Sequence, residues 1–526
     1  IAQSPHTLDG RMSQPRVVNY VIRGLYRDSV QLMEVTDKVK RLPGVVDAAV
    51  LMGTTANKDS LKPLMLLTPE GEKAGPNDLI VILKATGNVD EIFEQVKKIL
   101  FEVKTPTTSY SNIDEAVKIH QDIKYASISI PGKYVGDVAF KLIDYGINLF
   151  IFSDHVPIET EVELKKYAAS KGLLVMGSEA GTAIISGVGF GFANKVEKGH
   201  VGIVASSGSG IQEFVSLLDS YGIGVSHAIG VGARDLTRKV GGIMTRKALQ
   251  LLENDVQTKV VVLIAKQSDV EVVREILEQE FSKPLIVCLL GHPRQVSQHP
   301  QSPTLHGLAL QVVSTFSQAK REEAVKNLQR EVRRLKELVA CEGGFPRAFY
   351  SGGSLAVETA YVWNSVGLTV HTNLSVPWAT KLENPYITIK STVIDYGSEE
   401  FTEGRPHPII DHTLRNKRIV SELNSPETNS VVMDLIIGYG APDNVVEKVF
   451  EEIGGPILKN RDKKMVVRLV GTDKDPQWSQ TTILDKYGVV RPQSNTLAAA
   501  FTAACGLNDP SIMDTLAEEL VLEVRR

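Results

Sequence analysis

Short apolar runs of strand length alternate with amphipathic helical segments along most of this chain, which is the pattern of a parallel sheet covered by helices. The first cycle has a strand at Val17–Arg23, a turn at Gly24–Ser29, a helix at Val30–Lys40 and a strand at Val45–Met52. A loop through Gly53–Asn57, a strand at Asp78–Ala85 and a helix at Val89–Phe101 follow, and the Thr/Pro/Ser stretch Lys104–Asn112 reads as a linker. The second cycle places strands at Tyr125–Ile130, Ile147–Phe152 and Leu173–Met176. Its helices are expected at Tyr134–Tyr145 and Glu161–Lys171, the latter capped by Thr160. The third has strands at Gly199–Ala205, Val225–Gly230, Lys259–Lys266 and Pro284–Leu290, with a helix at Ile211–Tyr221. Ser297–Thr304, polar and twice interrupted by proline, reads as a mobile loop. Ala319–Ala340 is a helix with one apolar stripe through Val325, Leu328, Val332 and Leu335. A last block carries strands at Arg347–Tyr350, Val431–Ile437 and Lys464–Leu469.

A chain of 526 residues is too long for one core. The expected division is an N-terminal α/β domain (17–104), a Rossmann-like unit (105–196), a flavodoxin-like domain (197–316), a connecting helix (317–343) and a C-terminal α/β domain (344–526). Lys+Arg and Asp+Glu nearly balance at 58 and 62, so nothing calls for nucleic acid, and an anionic small molecule is the default ligand. No apolar run is long enough for a membrane helix, and the start lacks the order of a secretory signal, so a cytoplasmic location is expected. Met12 is a candidate initiator, with residues 1–11 set aside. Cys288, Cys341 and Cys505 are too scattered for a disulfide framework or a zinc site and read as small buried apolar residues. No cluster has metal-ligand spacing; Mg²⁺ would enter only with a phosphate substrate.

The segment VGIVASSGSGIQEF, Val201–Phe214, carries the clearest chemistry. A strand runs through Ser206, Ser207, Gly208, Ser209 and Gly210 into a helix whose first amides lack partners and whose dipole is positive there. Ser207, Gly208, Ser209 and Gly210 are therefore a candidate anion site. The plain alternative is a tight turn capped by Ser209. Ser351, Gly352, Gly353 and Ser354 form a second such start, either anion site or cap. In GRPHPIIDHTLRN, Gly404–Asn416, Arg405 and Arg415 are candidate substrate-binding residues, His407 a candidate acid or base, and Asp411 lies among them. The alternative there is a Pro-fixed loop with structural ion pairs or a subunit contact.

Five stretches resemble the α-subunit of succinyl-CoA synthetase and ADP-forming acyl-CoA synthetases: Tyr145–Pro157, Lys171–Thr182, Gly199–Phe214, Ala248–Lys266 and Lys283–Gly291. In that family the Ser/Gly helix start faces a phosphohistidine. Over the whole length the chain is similar to FdrA. The matching segments are GLYRDSVQLM, MGTTANK, GPND, SHAIGVGARDL, YSGGSLAVE, GRPHPIIDHTLRN and GTDKDPQ. The resemblance implies a succinyl-CoA synthetase-like α/β fold built from several Rossmann-like and flavodoxin-like parallel-sheet domains. It also implies carbamoyl transfer between carbamoyl phosphate and oxamate, as in allantoin breakdown, by a homo-oligomer or a hetero-complex with FdrA-associated subunits.

Departures from the synthetase pattern narrow this expectation. The turn Gly24–Ser29 has one glycine where a CoA-binding α-subunit is Gly-rich, so CoA and nucleotide binding are not expected and no cofactor is assigned. His292, His299 and His306 stand where the relay histidine belongs, and all three read as exposed loop residues. Lys266 replaces the carboxylate that would orient an imidazolium, which argues against a phosphohistidine relay. Lys266 and Arg234 are instead candidate catalytic cations beside the Ser207–Gly210 anion site. Two other readings stay open: an ADP-forming acyl-CoA synthetase, and a non-catalytic scaffold subunit.

Overall fold

A computed structural model describes residues 15–25, 27, 29–102, 110, 112–341, 343–403 and 405–525. Most of the expected linker at 104–112, and residues 1–11 with Met12, lie outside the described residues. The chain forms two compact units: Ile1–Ser111 with Glu403–Pro406, and Asn112–Thr402 with His407–Arg526.

The first unit departs from the expected parallel sheet. Its strands β1 (Arg16–Ile22), β2 (Val45–Met52) and β3 (Leu79–Ala85) lie in the order β1-β3-β2, with β3 antiparallel to both neighbours. β1 and β2 run parallel, as a strand–helix–strand crossover requires, but β3 is inserted between them in the manner of a split βαβ unit. Periodicity reports which residues face a core and not which way a strand runs, so the direction was not legible. The helices Ser29–Lys40 and Val89–Glu102 cover one face through Leu32, Val35, Val39, Ile92 and Val96, while Leu61 and Ala74 cover Ile80 and Ile82 on the other.

The second unit has the expected α/β character. β4 (Tyr125–Ile128), β5 (Asn148–Ile151) and β6 (Val175–Met176) form a small parallel sheet. A hairpin absent from the sequence reading, β7 (Thr182–Ile185) and β8 (Val188–Gly191), leads into β9 (Lys198–Ala205), β10 (Val225–Gly230), β11 (Val260–Ala265), β12 (Leu285–Leu289) and β13 (Gln301–Ser302). These seven make one sheet in the order β13-β12-β11-β9-β10-β7-β8, parallel from β13 to β10. A six-stranded parallel sheet follows: β14 (Phe345–Tyr350), β15 (Val370–Thr372), β16 (Thr380–Lys381), β17 (Ser391–Asp395), β18 (Thr428–Ile436) and β19 (Lys464–Val470), ordered β16-β15-β17-β14-β18-β19. β15, β16 and β17 were not expected from the sequence.

Between the two large sheets lies a layer of helices, Gly208–Ser220, Leu305–Phe316, Gly353–Ser365 and Asn495–Leu507, each buried on nearly every side. One apolar cluster runs through this layer from Ile203, Val262 and Ile264 to Ala348, Val393, Val432 and Val466. A helix apolar all round has no solvent face to offer, so a position between sheets is the stable solution. The buried carboxylates inside the layer are paired. Glu213, fully buried, accepts from Arg468 Nε at 2.7 Å and from the Asn495 amide at 2.8 Å, joining the Gly208 helix to β19 and to the Asn495 helix.

Three local expectations change. The helix expected at Glu161 starts at Ile158 after Pro157, whose fixed φ presets the entry, so Thr160 is inside the helix and caps nothing. The stretch Ser297–Thr304 ends in β13, paired with β12, and Thr304 Oγ caps the next helix by accepting from the Gly307 amide at 3.2 Å. His306 is thereby fully buried in that helix, Nδ1 against Ser494 Oγ at 2.8 Å and Nε2 against Tyr221 Oη at 2.9 Å. Burial, and then the Arg468 charge, hold its pKa down to about 3, so it is neutral and structural. His292 and His299 are half-buried.

Arg468→Met would leave the Glu213 carboxylate buried without its charge partner. Chemical denaturation of the full chain is expected to show a loss of about 3–5 kcal/mol; a change within error would mean that Glu213 finds another partner.

Candidate functional site

β9 ends at Ala205, and the turn into the Gly208 helix is fixed by two serines. Ser206 Oγ accepts from the Lys266 amide at 3.1 Å, tying the end of β9 to the end of β11. Ser207, and not Ser209, is the cap: its Oγ accepts from the Gly210 amide at 2.8 Å. The amides of Gly208 and Ser209 have no protein acceptor among the described residues. A neighbouring side chain is also unpaired: Thr182 Oγ1, completely buried on β7, lies beside the Gly208 α-carbon without a hydrogen-bond partner.

A second turn of the same kind faces the first. β14 ends at Tyr350, and the amides of Ser351 and Gly352 donate to the two carboxylate oxygens of Asp434 at 2.8 and 2.7 Å. Asp434 is held in turn by Arg415 Nη1 at 2.5 Å, which also donates to Ser351 Oγ at 2.6 Å. The hydroxyls of Ser207 and Ser354 share a hydrogen bond, and the Ser354 amide donates to Ser209 Oγ at 3.3 Å. A methyl group on Gly352 would sit 2.7 Å from Ser209 Cβ, so the two helix starts could not approach with any larger residue there. The Gly353 amide, like those of Gly208 and Ser209, has no protein acceptor among the described residues.

Two ionisable side chains close on the start of the Gly353 helix. A methyl at Gly353 would collide with both Lys266 Nζ and Asp395 Oδ2. Lys266 forms no ion pair within 4.0 Å among the described residues and is half-buried. Asp395, at the end of β17 and buried, uses Oδ1 to accept from the Gly397 amide at 2.8 Å. Burial pushes its carboxyl above the usual carboxylate range, with Lys266 opposing. His407 Nε2 lies near Gly397, and its Nδ1 accepts from the Ile409 amide at 3.2 Å. Burial, then the Arg415 and Lys266 charges, lower its pKa to about 4. The ring is neutral at pH 7, and the Nδ1 contact assigns its proton to Nε2.

Both turns stand at topological switch points. From β9 the chain passes to β10 on one side and later to β11 on the other; from β14 it reaches β15 and β17 on one side and β18 on the other. Ligand crevices in open parallel sheets form at the carboxyl ends of strands where the order reverses in this way.

The structure therefore brings together Ser207, Gly208, Ser209, Gly210, Lys266, Ser351, Gly352, Gly353, Ser354 and His407. It does not bring Arg234, which is bonded to Glu161 at 2.7 Å, Ser178 Oγ at 2.6 Å and the Val156 carbonyl at 2.8 Å, beside the buried Lys165–Asp235 pair. Arg415 is 1% exposed, with Asp434, Ser351 and His412 as its partners, and it positions the Gly352 turn from behind. Arg405 is exposed and belongs to the other compact unit. Asp395, Asp434 and Thr182 were missed by the sequence reading. An aspartate ending a short buried strand has no motif around it, and only the fold brings it to Gly353.

A model of the CoA-ligase family matches residues 349–505, and one described as the AllF heavy metal-associated domain matches residues 15–116. The chain belongs to the FdrA-like family of succinyl-CoA synthetase α-type proteins. A relative spanning nearly its whole length is YahF of Escherichia coli K12, 33% identical over 490 residues, covering 90% of this chain and 95% of YahF. It is also 27% identical to the α-subunit of the ADP-forming succinate–CoA ligase of Methanothermobacter thermautotrophicus. That match takes in 35% of this chain and 62% of that subunit, short of two thirds of its length. Among solved structures, the apo dinucleotide-forming acetyl-coenzyme A synthetase 1 of Ca. Korarchaeum cryptofilum aligns over 80% of this chain and 89% of its own, with a TM-score of 0.32 and 15% identity.

The groups these families imply do not find fitting residues. Residues 15–116 contain no cysteine and no histidine, so they offer a heavy metal neither thiolate nor imidazole. The turn after β1 is held instead by Asp78, which accepts from the Gly75 amide at 2.8 Å and the Gly24 amide at 2.9 Å; these bonds lower its pKa. For CoA, the relevant turn is the one after β4, because Gly24 lies in the antiparallel unit. It has a single glycine, Gly132, whose α-carbon is pressed against the Asp154–His155 backbone, so it lacks the Gly-rich sequence of a CoA-binding turn. No helix of the described residues is long and apolar enough to cross a membrane, and no group of three or more metal-ligating side chains occurs among them.

Gly353→Ala tests the cradle directly, since its helical backbone tolerates alanine and only the facing side chains object. Calorimetric binding of inorganic phosphate to the full chain is expected to weaken about tenfold or more. Unchanged binding would show that phosphate does not use this space.

Proposed function

We propose that this chain is the acyl-phosphate-binding subunit of a group-transfer enzyme, with carbamoyl transfer between carbamoyl phosphate and oxamate as its reaction. The supporting observation is the facing pair of helix starts, with three amides, Gly208, Ser209 and Gly353, lacking protein acceptors beside an unpaired Lys266. The helix dipoles and the ammonium oppose the charge of a phosphate and stabilise it further as it leaves. In the reaction the oxamate amide nitrogen attacks the carbamoyl carbon, the C–O bond to phosphate breaks, and the amide proton passes to a base. His407 is unsuited to be that base, because its free nitrogen already carries the proton; its Nε2–H serves as a donor to a carbonyl oxygen. Asp395, with a raised pKa and an oxygen aimed at the cradle, is the base.

The relatives named as ligase subunits support a multi-subunit assembly, in which partner chains complete the acceptor side. A second reading, ADP-forming acyl-CoA ligation, is favoured by the name of the Methanothermobacter relative and opposed by the Gly132 turn. A third, a scaffold subunit, predicts that none of the cradle residues matters to the complex.

One assay separates the three. The chain, alone and with the products of neighbouring genes, is given carbamoyl phosphate with oxamate, and separately ATP, CoA and succinate. Product is expected in the first mixture only, and Lys266→Ala should lower kcat by about 10²–10³-fold. Thioester in the second mixture supports ligation, and an active complex indifferent to Lys266→Ala supports the scaffold.

The pH profile gives an independent check. Asp395 acts as a base only when ionised, and its pKa is raised, so kcat should rise with pH through a value above that of an ordinary aspartate. Asp395→Asn should remove this limb; a profile unaltered by Asp395→Asn would exclude it as the base.

A further inference from the structure

The cradle over Gly353 contains one group that a plain anion site does not need. Its free amides and the Lys266 ammonium are donors, but Asp395 Oδ2 is an acceptor, and it stands as close to the Gly353 β-position as Lys266 Nζ does. Asp395 is 5% exposed, and its neighbours hold it in place. Its amide donates to Asn373 Oδ1 at 2.9 Å and its carbonyl accepts from Asn373 Nδ2 at 2.9 Å, so one side chain grips both backbone groups. Ser398 Oγ donates to the same carbonyl at 2.9 Å, and the Gly397 amide holds Oδ1 at 2.8 Å. Oδ2 accepts no hydrogen bond from the described residues and forms no ion pair with Lys266 within 4.0 Å. A buried, clamped carboxylate oxygen without a donor is thus aimed into the space over Gly353.

A carboxylate oxygen facing an anion oxygen is repulsive unless a proton lies between them. Hydrogen phosphate and sulfate are both tetrahedral dianions of nearly the same size, so the helix dipoles and Lys266 attract them alike. They differ in the proton: hydrogen phosphate carries one on oxygen, and sulfate in neutral solution carries none. We propose that Asp395 sets the specificity of the cradle, accepting a hydrogen bond from the hydroxyl of hydrogen phosphate and excluding sulfate. This rests on the reading of the cradle as a phosphate site. A site built to bond a substrate hydroxyl rejects an analogue that lacks it, because its buried acceptor is left facing a lone pair. The same contact gives the transfer reaction a destination for its proton. The oxamate nitrogen attacks the carbamoyl carbon, and the C–O bond breaks with its electron pair kept by the phosphate oxygen. The nitrogen proton passes through Asp395 Oδ2 to a phosphate oxygen, so hydrogen phosphate leaves and no net proton is taken up or released.

The full chain is titrated calorimetrically with phosphate, arsenate and sulfate at one ionic strength and about pH 8, above the second ionisation of phosphate. Phosphate and arsenate, which both keep a proton there, are expected to bind, and sulfate to bind at least about tenfold more weakly. Asp395→Asn retains an oxygen for the Gly397 amide and offers an N–H in place of Oδ2, so it should bring sulfate to within about threefold of phosphate. Sulfate binding the unsubstituted chain as tightly as phosphate overturns the selectivity and leaves the cradle standing. An undiminished preference for phosphate in Asp395→Asn overturns the role of Asp395. Failure of both phosphate and arsenate to bind overturns the cradle itself, and the selectivity with it. The three titrations of the unsubstituted chain decide the matter even if the variant fails to fold.

Discussion

The second unit depends on one constraint: two parallel sheets share a single layer of helices, and that layer has no face turned to water. Parallel strands such as β11, buried along its whole length, need helices on both faces. Helices that serve two sheets at once must be apolar nearly all round, so any charge inside the layer has to bring its own partner. Glu213 with Arg468, and Glu358 with Asn495, Thr496 and the Leu305 amide, meet that requirement. Glu358 is fully buried, and that burial pushes its carboxyl up to about 7.

The site follows from this arrangement. Each sheet delivers one helix into the shared layer at its own switch point, and the two helices enter with their N-termini opposed. Two positive dipole ends repel, and the approach is made tolerable by acceptors at the seam: the Ser207, Ser209 and Ser354 hydroxyls, and the Asp434 carboxylate behind them. Gly352 permits the contact and Gly353 leaves the space into which Lys266 and Asp395 point. Arg415 belongs to the same construction one step further out. Its charge balances Asp434, and Asp434 sets the turn.

Much of the architecture was legible. The strands that carry the site, β9, β11, β14, β18 and β19, were all expected near their observed places, because buried runs rich in β-branched or aromatic residues have a distinct signature. The short strands β15, β16 and β17 were not, and with β17 went Asp395. The Gly/Ser turns were recognised as helix starts with free amides, although the cap proved to be Ser207. Arginines were the weak point. Arg234 and Arg415 look the same in sequence as a substrate-gripping guanidinium, and only the positions of Glu161 and Asp434 reveal them as bound within the protein.

By itself the sequence determined that the chain would alternate strands and helices, that no excess charge would direct it to nucleic acid, and that Ser207–Gly210 and Ser351–Ser354 would begin helices. Those properties are local, set by side-chain periodicity and by the conformational freedom of glycine and serine. Tertiary structure decided that the two turns meet, that β3 inserts antiparallel in the first unit, that His306 is sealed in a helix, and that Lys266 and Asp395 share the space over Gly353. Each of these depends on which elements share a layer, a choice governed by the joint burial of residues hundreds of positions apart and written in no single stretch of the chain.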